Sequence, residues 1–373
     1  VFSGSAFIDN LTRDDFEVLE DGVPQEILAM YMINKADIIK REETRNFMPF
    51  TPRIFYLAFN MIDYNDNIGK AMDHFFKEVL QPQDSLIVIT PEKPYILSSK
   101  VLESRPREEI AKELKKIIRK DVNTASSIYK SAITKLKRVA ASISTFSGGW
   151  ESFDSIEMGD PVAEGRSSSL GNLLKQYRMR LEELEATRGV KGKKLLDFAN
   201  QLKQQRGQKN VFYFYQKEYI PMLSTMNLQR LYNLNEDNFN IQSDLNDLMQ
   251  MYSREKGLSS DRLSQAFGDA SIIFNLIFVD QAKDQNMSGG IVMQEQSADV
   301  YEALSKAAKA SGGLVEATKN AALAFKRILE MTELYYLLYY SPKNYKKDGK
   351  FRKIEVRLKN KDYKVDYRYG YIG

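Results

Sequence analysis

Residues 54–67 read IFYLAFNMIDYNDN. Six consecutive apolar or aromatic residues end abruptly at Asn60, and a loop carrying Asp63, Asn65 and Asp66 follows. Ile68, Met72, Phe75, Phe76 and Val79 then recur at helical spacing, so the stretch predicts a strand, a loop and an amphipathic helix. A strand with no polar face is one buried on both sides, which is how an open parallel α/β sheet begins. Ligands of such sheets sit beyond the carboxyl ends of the strands, which places an expected binding site at residues 60–66.

Working outward, residues 85–90 (SLIVIT) predict a second strand and residues 95–97 a short third. Ser104-Arg105-Pro106 starts a helix with Ile110, Leu114, Ile117 and Ile118 on one face. A separate helix is expected from about 126 to 144, with Ile128, Ala132, Ile133, Leu136 and Val139 as its stripe. Residues 145–170 are rich in Gly, Ser and acids without periodicity and predict a flexible loop, which holds the sole tryptophan, Trp150. Trp150 reads either as a side chain tucked against its own domain or as a docking anchor. Two helices follow, striped by Leu170, Leu173, Leu174, Tyr177, Leu181 and Leu184 and by Leu195, Leu196, Phe198, Ala199 and Leu202. Residues 211–215 (VFYFY) and 271–279 (SIIFNLIFV) predict central strands, with mostly polar helix and loop over 217–270 between them. A helix over 300–310, a Ser311-Gly312-Gly313 turn, a short strand over 314–316 and a helix over 320–333 complete the series.

Both ends change to period two. Phe16, Val18 and the turn at 20–22 lead into Ile27, Ala29, Tyr31 and Ile33, while residues 35–50 read as a charged linker. The tail gives three antiparallel strands: 335–340 (YYLLYY), then Ile354, Val356 and Leu358 alternating with charges, then Tyr363, Val365, Tyr367 and Tyr369. Three such strands make a poor core alone, so the strands of residues 1–34 are their natural partners. The expected fold is therefore α/β: a doubly wound, mostly parallel sheet over 47–333, inserted into a small antiparallel β-sandwich built from 1–46 and 334–373.

The chain has 373 residues, 43% hydrophobic and 28% charged, and no run of eighteen apolar residues. It opens on Val1, the form a processed or trimmed chain takes. With no cysteine it has no disulfide, thiolate nucleophile or Cys-based metal site. Its one histidine, His74, falls in the helix after the first strand, and no G-x-S-x-G, P-loop or G-x-G-x-x-G occurs, so no enzyme is expected. Residues 341–373 carry eleven Lys or Arg against four Asp or Glu. Such a tail attracts polyanions or simply forms the wet face of a sheet.

The order of strands and helices, with Ser-Gly-Gly before the last helix, resembles the von Willebrand factor A domain. Residues 11–22 (LTRDDFEVLEDG), 24–27 (PQEI), 336–342 (YLLYYSP), 348–356 (DGKFRKIEV) and 368–371 (RYGY) are similar to segments of bacterial extracytoplasmic proteins related to that domain. The similarity covers nearly the full length. It implies a secreted, periplasmic or cell-surface location, and a metal-ion-dependent adhesion site built from Asp-x-Ser-x-Ser, a Thr and a later Asp around Mg²⁺. Here the first motif falls on Asn60, Ile62 and Tyr64, the threonine near Ser126, and the later aspartate near Gln216 or Lys217. Ile62 has no ligating atom and a lysine opposes a cation, so the resemblance implies a degenerate site; Asp63 and Asp66 are the acids from which a shifted one would be built. No metal or other cofactor is expected.

The leading expectation is a non-catalytic protein-binding, adhesion or scaffold module. Its partner crevice would be Asn60, Ile62, Asp63, Tyr64, Asp66, Ser126, Gln216 and Lys217, with the 145–170 loop as the other docking element. The alternatives are binding of a nucleic acid or cell-wall polymer by the basic tail (Lys346, Lys347, Lys350, Arg352, Lys353, Arg357 and Lys359) and self-assembly through strands such as 335–340. A homo-oligomer is compatible with these readings, and nucleic acid is not the partner the first one expects.

Overall fold

The computed structural model describes every residue except 5, 45, 46, 48, 50, 147–161, 188, 189, 253–257, 281–289 and 344, and gives residues 162–169 and 187 by helical backbone alone. Strands β1 (Phe2–Ser3) and β2 (Ala6–Phe7) pair first. The Thr12 N–H and hydroxyl both donate to the Asp15 carboxylate (2.7 and 2.8 Å), closing a 3-10 turn before β3 (Phe16–Glu20). Asp21 and Gly22 both take positive φ (49° and 80°), the pair of angles that a two-residue hairpin turn matching strand twist requires, and β4 (Val23–Gln25) returns. Next come β5 (Ile27–Asn34) and β6 (Asp37–Glu43). The charged stretch expected to be a linker is thus a strand over 37–43, its alternation hidden because both faces carry charges, Asp37, Arg41 and Glu43 on the exposed one and Lys40 and Glu42 on the other.

The 54–59 run lies in β7 (Arg53–Asn60). Asn65 caps α1 (Asp66–His74) by accepting from the Ile68 N–H (3.3 Å), and a π-helical turn over Phe75–Val79 extends it. Then follow β8 (Ser85–Ile89), β9 (Pro94–Leu97), α2 (Ser99–Ser104) and α3 (Arg107–Ser144). The two helices expected over 107–144 are one. Its polar middle reads as a break, yet Asp121 is buried and accepts from the Thr90 and Tyr95 hydroxyls (2.7 and 2.8 Å), so polarity there serves packing. Helix α4 (Val162–Thr187) starts inside the expected 145–170 loop, and Trp150 lies outside the described residues. After α5 (Gly192–Lys203) come β10 (Gln208–Gln216), β11 (Tyr219–Leu223), α6 (Thr225–Asn233), α7 (Phe239–Tyr252) and α8 (Ser260–Asp269). Strand β12 (Ile272–Val279), β13 (Ile291–Glu295), α9 (Ala298–Ala310), β14 (Val315–Thr318) and α10 (Ala321–Thr332) follow. The tail gives β15 (Leu334–Tyr340), β16 (Phe351–Leu358) and β17 (Gly370–Ile372).

The central six-stranded sheet runs β14-β12-β10-β7-β8-β9, all parallel except the antiparallel edge β9. Counted along the chain this is the order 3-2-1-4-5-6, whose direction reverses between β7 and β10. Alternate residues of the inner strands feed opposite cores, as a strand's period of two demands. Phe55, Leu57, Phe59, Phe212 and Phe214 meet α1, α3 and α10 on one face. Tyr56, Ala58, Tyr213, Phe274 and Leu276 meet α5, α8 and α9 on the other. Each such fully buried large side chain stabilises the fold by roughly 1.5–3 kcal/mol.

At 1.5 Å per residue the 38 residues of α3 span about 57 Å, longer than the sheet it starts on. Its first half buries Ile110, Leu114 and Ile118 against the sheet. Its second half puts Leu136, Ala140 and Ile143 into a separate core with α4, α6, α7 and the β11–β13 ribbon. A helical cap therefore stands beyond the carboxyl ends of the strands, where the sequence suggested only polar helix and loop.

Two antiparallel sheets join the chain's ends: β15-β5-β6 and β17-β16-β3-β4. Phe16, Met30, Tyr336, Leu338, Val356 and Leu358, drawn from both sheets, share one apolar cluster. The tail strands were expected in one sheet, but β15 and β16 lie in different ones, and residues 363–369 make only isolated bridges, Lys364 to Phe2 and Arg368 to Ser311. The last residues fasten these sheets to the α/β core: the Tyr369 N–H donates to the Ala310 carbonyl (2.8 Å) and the Ile372 N–H to Asp269 (3.1 Å). No helix among the described residues is long and apolar enough to cross a membrane.

Candidate functional site

Asn60 ends β7 and Gln216 ends β10, so the two flank the point where strand order reverses. The Gln216 side chain is only 4% exposed, and its Oε1 accepts from the backbone N–H groups of Ile62 (2.8 Å) and Asp63 (2.7 Å). Asn60 Nδ2 donates to the Tyr213 hydroxyl (3.0 Å), whose own ionisation burial makes unfavourable. The loop over the crevice is thus tied to the neighbouring strand at two levels.

Asp63 and Lys217 are both ion-paired. Asp63 forms an ion pair with Lys130, one helical turn beyond Ser126 on α3. Lys217 lies 3.0 Å from Glu295 and 3.7 Å from Asp280, and the hydrogen bond to Glu295 holds its pKa above the ordinary value. Arg119 lies over the Tyr64 ring, and burial raises the Tyr64 pKa. Asp66 occupies the first turn of α1, where a carboxylate is favoured by the helix dipole. Ser126 is buried within α3, its hydroxyl donating to the Asn123 carbonyl (3.0 Å).

The structure therefore brings Asn60, Ile62, Asp63 and Gln216 together, sets Lys217 on the β11–β13 side, and turns Ser126 into its own helix. Sequence reading missed Tyr213, Lys130, Asp280 and Glu295. Lys130 was within reach of it, since residues four apart share a helical face.

A hard divalent cation needs several oxygen ligands converging on one point. These residues do not fit one. Ile62 offers no side-chain oxygen, the Gln216 oxygen already accepts two hydrogen bonds, and two lysines place positive charge beside the nearby acids. Among the described residues no group of three or more His, Cys, Asp or Glu is placed to hold a metal.

On the cap, a shallow groove of about 360 Å³ between α3 and α4 is lined by Ser127, Ile128, Ser131, Ala132, Lys135 and Glu183. Ile128 (62% exposed), Met226 (81%) and Phe239 (82%) stand on the cap surface. In the basic tail, Arg352 pairs with Asp348 and Asp21, and Arg357 with Glu355 and Glu17. Compared with known proteins, the chain matches no family model, no curated protein and no solved structure.

Proposed function

We propose that the chain is a non-catalytic protein-interaction module of von Willebrand factor A type, an adhesion or scaffold component of the bacterial envelope or exterior that binds without a metal. The observation that carries this reading is the Gln216 side chain: near where the resemblance puts a metal-binding aspartate, it spends its oxygen on two backbone N–H groups. The 3-2-1-4-5-6 order with its antiparallel third strand supports the family at the level of fold, an architecture that hosts many functions. The end sheets that share one apolar cluster support the terminal β-sandwich. Single exposed apolar side chains are ordinary, but Ile128, Met179, Met226 and Phe239 all stand on one cap, and that favours protein docking there over ligand capture in the crevice.

The test is retention of envelope proteins by the immobilised chain, quantified by mass spectrometry with and without chelator. The reading predicts partners that survive chelation and are lost with Met226→Ser/Phe239→Ser, a variant whose melt matches the parent. Loss of the same partners in chelator would contradict it.

A further inference from the structure

Strand β15 is an edge strand of β15-β5-β6, so one row of its backbone N–H and C=O groups has no strand partner among the described residues. Proteins blunt such edges with charge, proline or brevity. The other outer edges of the three larger sheets carry these devices. Five of the seven residues in β6 are charged, β4 is three residues long with Pro24 in its middle, and β17 is three residues long. In the central sheet, β9 is four residues starting at Pro94 and β14 is four residues with Glu316. Strand β15 carries none of them: seven residues, LYYLLYY, without charge, proline or glycine.

Its burial agrees with an open edge. Tyr335, Leu337 and Tyr339 pack into the cluster on one face of the sheet, and Tyr336 and Leu338 into that on the other. All seven residues nevertheless remain partly exposed, as an edge strand with one uncovered side allows.

We infer that β15 is a self-association edge, on which a second copy of this chain adds its own β15 antiparallel across a two-fold axis. A two-fold normal to the sheet preserves its faces, so it must pass through a residue rather than between residues. Full overlap of Leu334–Tyr340 then puts Leu337 opposite itself, Tyr335 opposite Tyr339 and Tyr336 opposite Leu338. No like charges meet in this register. Glu333, before the strand, faces Ser341 of the second copy with Lys343 two residues beyond, so opposite charges approach at both ends.

The absence of native cysteine makes the register readable by cross-linking. Antiparallel partners lie about 4.5–5.5 Å apart between Cα atoms, within disulfide reach. The full chain is first examined by sedimentation equilibrium, where a concentration-dependent mass of two chains is expected. Leu337→Cys should then oxidise to a dimer at least tenfold faster than Ile39→Cys on the charged edge β6. Leu337 is part of a packed cluster, so a second pair guards against misfolding. Glu333→Cys and Ser341→Cys should cross-link when mixed and not singly. A chain that stays monomeric at its highest soluble concentration overturns the inference. So does a dimer in which neither 337–337 nor 333–341 cross-links.

Discussion

The Oε1 atom of Gln216 lies 2.7 Å from the backbone nitrogen of Asp63, 153 residues earlier in the chain. With the companion bond from Ile62, one neutral side chain holds the first loop of the sheet to the strand across the reversal point. Gln216→Ala leaves two N–H donors without that acceptor and should cost about 1–3 kcal/mol in urea unfolding. Gln216→Glu keeps an acceptor in place and should lose less than the alanine variant. Equal stability of the alanine variant and the parent would show that the tie is unimportant.

A buried ion pair holds the opposite end of β7, the strand that leads into that loop. Arg53 donates to both carboxylate oxygens of Asp84 (3.0 and 2.6 Å), and the two side chains are 4% and 0% exposed. Asp84→Asn leaves the guanidinium buried without its counter-charge and should destabilise by about 3–5 kcal/mol. Arg53→Met combined with Asp84→Leu should cost less than the sum of the two single changes, which a double-mutant cycle in urea reads directly.

Two glycines should respond in opposite ways to alanine. A Cβ on Gly370 would stand 2.1 Å from the Arg352 carbonyl oxygen and 2.5 Å from the Phe351 ring, so Gly370→Ala must displace backbone at the tail's attachment. Gly171 lies within helix α4 and its nearest neighbour would be 3.4 Å away, at the Ile241 methyl. There alanine should gain up to about 1 kcal/mol from helix propensity. Thermal melts that rank the two variants the other way would refute this packing.

Stability should fall in alkali. Burial pushes the Tyr252 hydroxyl up to about 12, and burial also raises its hydrogen-bonded neighbour Tyr177. A group whose folded pKa is raised contributes its full stability below the unfolded value of about 10 and loses it as pH climbs through the folded value. Between about pH 10 and 12 the unfolded state ionises first, at a cost near 1.4 kcal/mol per pH unit for Tyr252. Urea midpoints should decline in that window, with a shallower slope in Tyr252→Phe. The tyrosinate absorbance of this buried pair should appear only with unfolding.

Much of this architecture was legible because strands buried on both faces spell themselves out, as in VFYFY at 211–215 and IIFNLIFV at 272–279. What escaped did so for local reasons. Strand β11 contains Pro221, a residue that argues against a strand, yet it forms one side of a two-stranded ribbon. Residues 363–369 alternate as a strand should, but period two describes the side chains and not whether a backbone partner is adjacent. The cap was hidden because Leu170, Leu174 and Leu181 read as one more helix on the main core; which core a stripe joins is a tertiary fact. At the site, a family pattern pointed to Gln216, whereas Lys130, Asp280 and Glu295 are neighbours only in the fold.

The central claim is that the strand-end crossing is closed by the protein's own groups and takes no cation. The most direct test is a thermal melt of the full chain in chelator and in millimolar Mg²⁺, Mn²⁺ or Ca²⁺, backed by calorimetric titration. Coincident melts and no binding heat are predicted. A bound ion at a hundred times its dissociation constant would add about 2.7 kcal/mol. A shift of that size that disappears in Asp63→Ala or Asp66→Ala would contradict the account and place a relocated metal site in the loop.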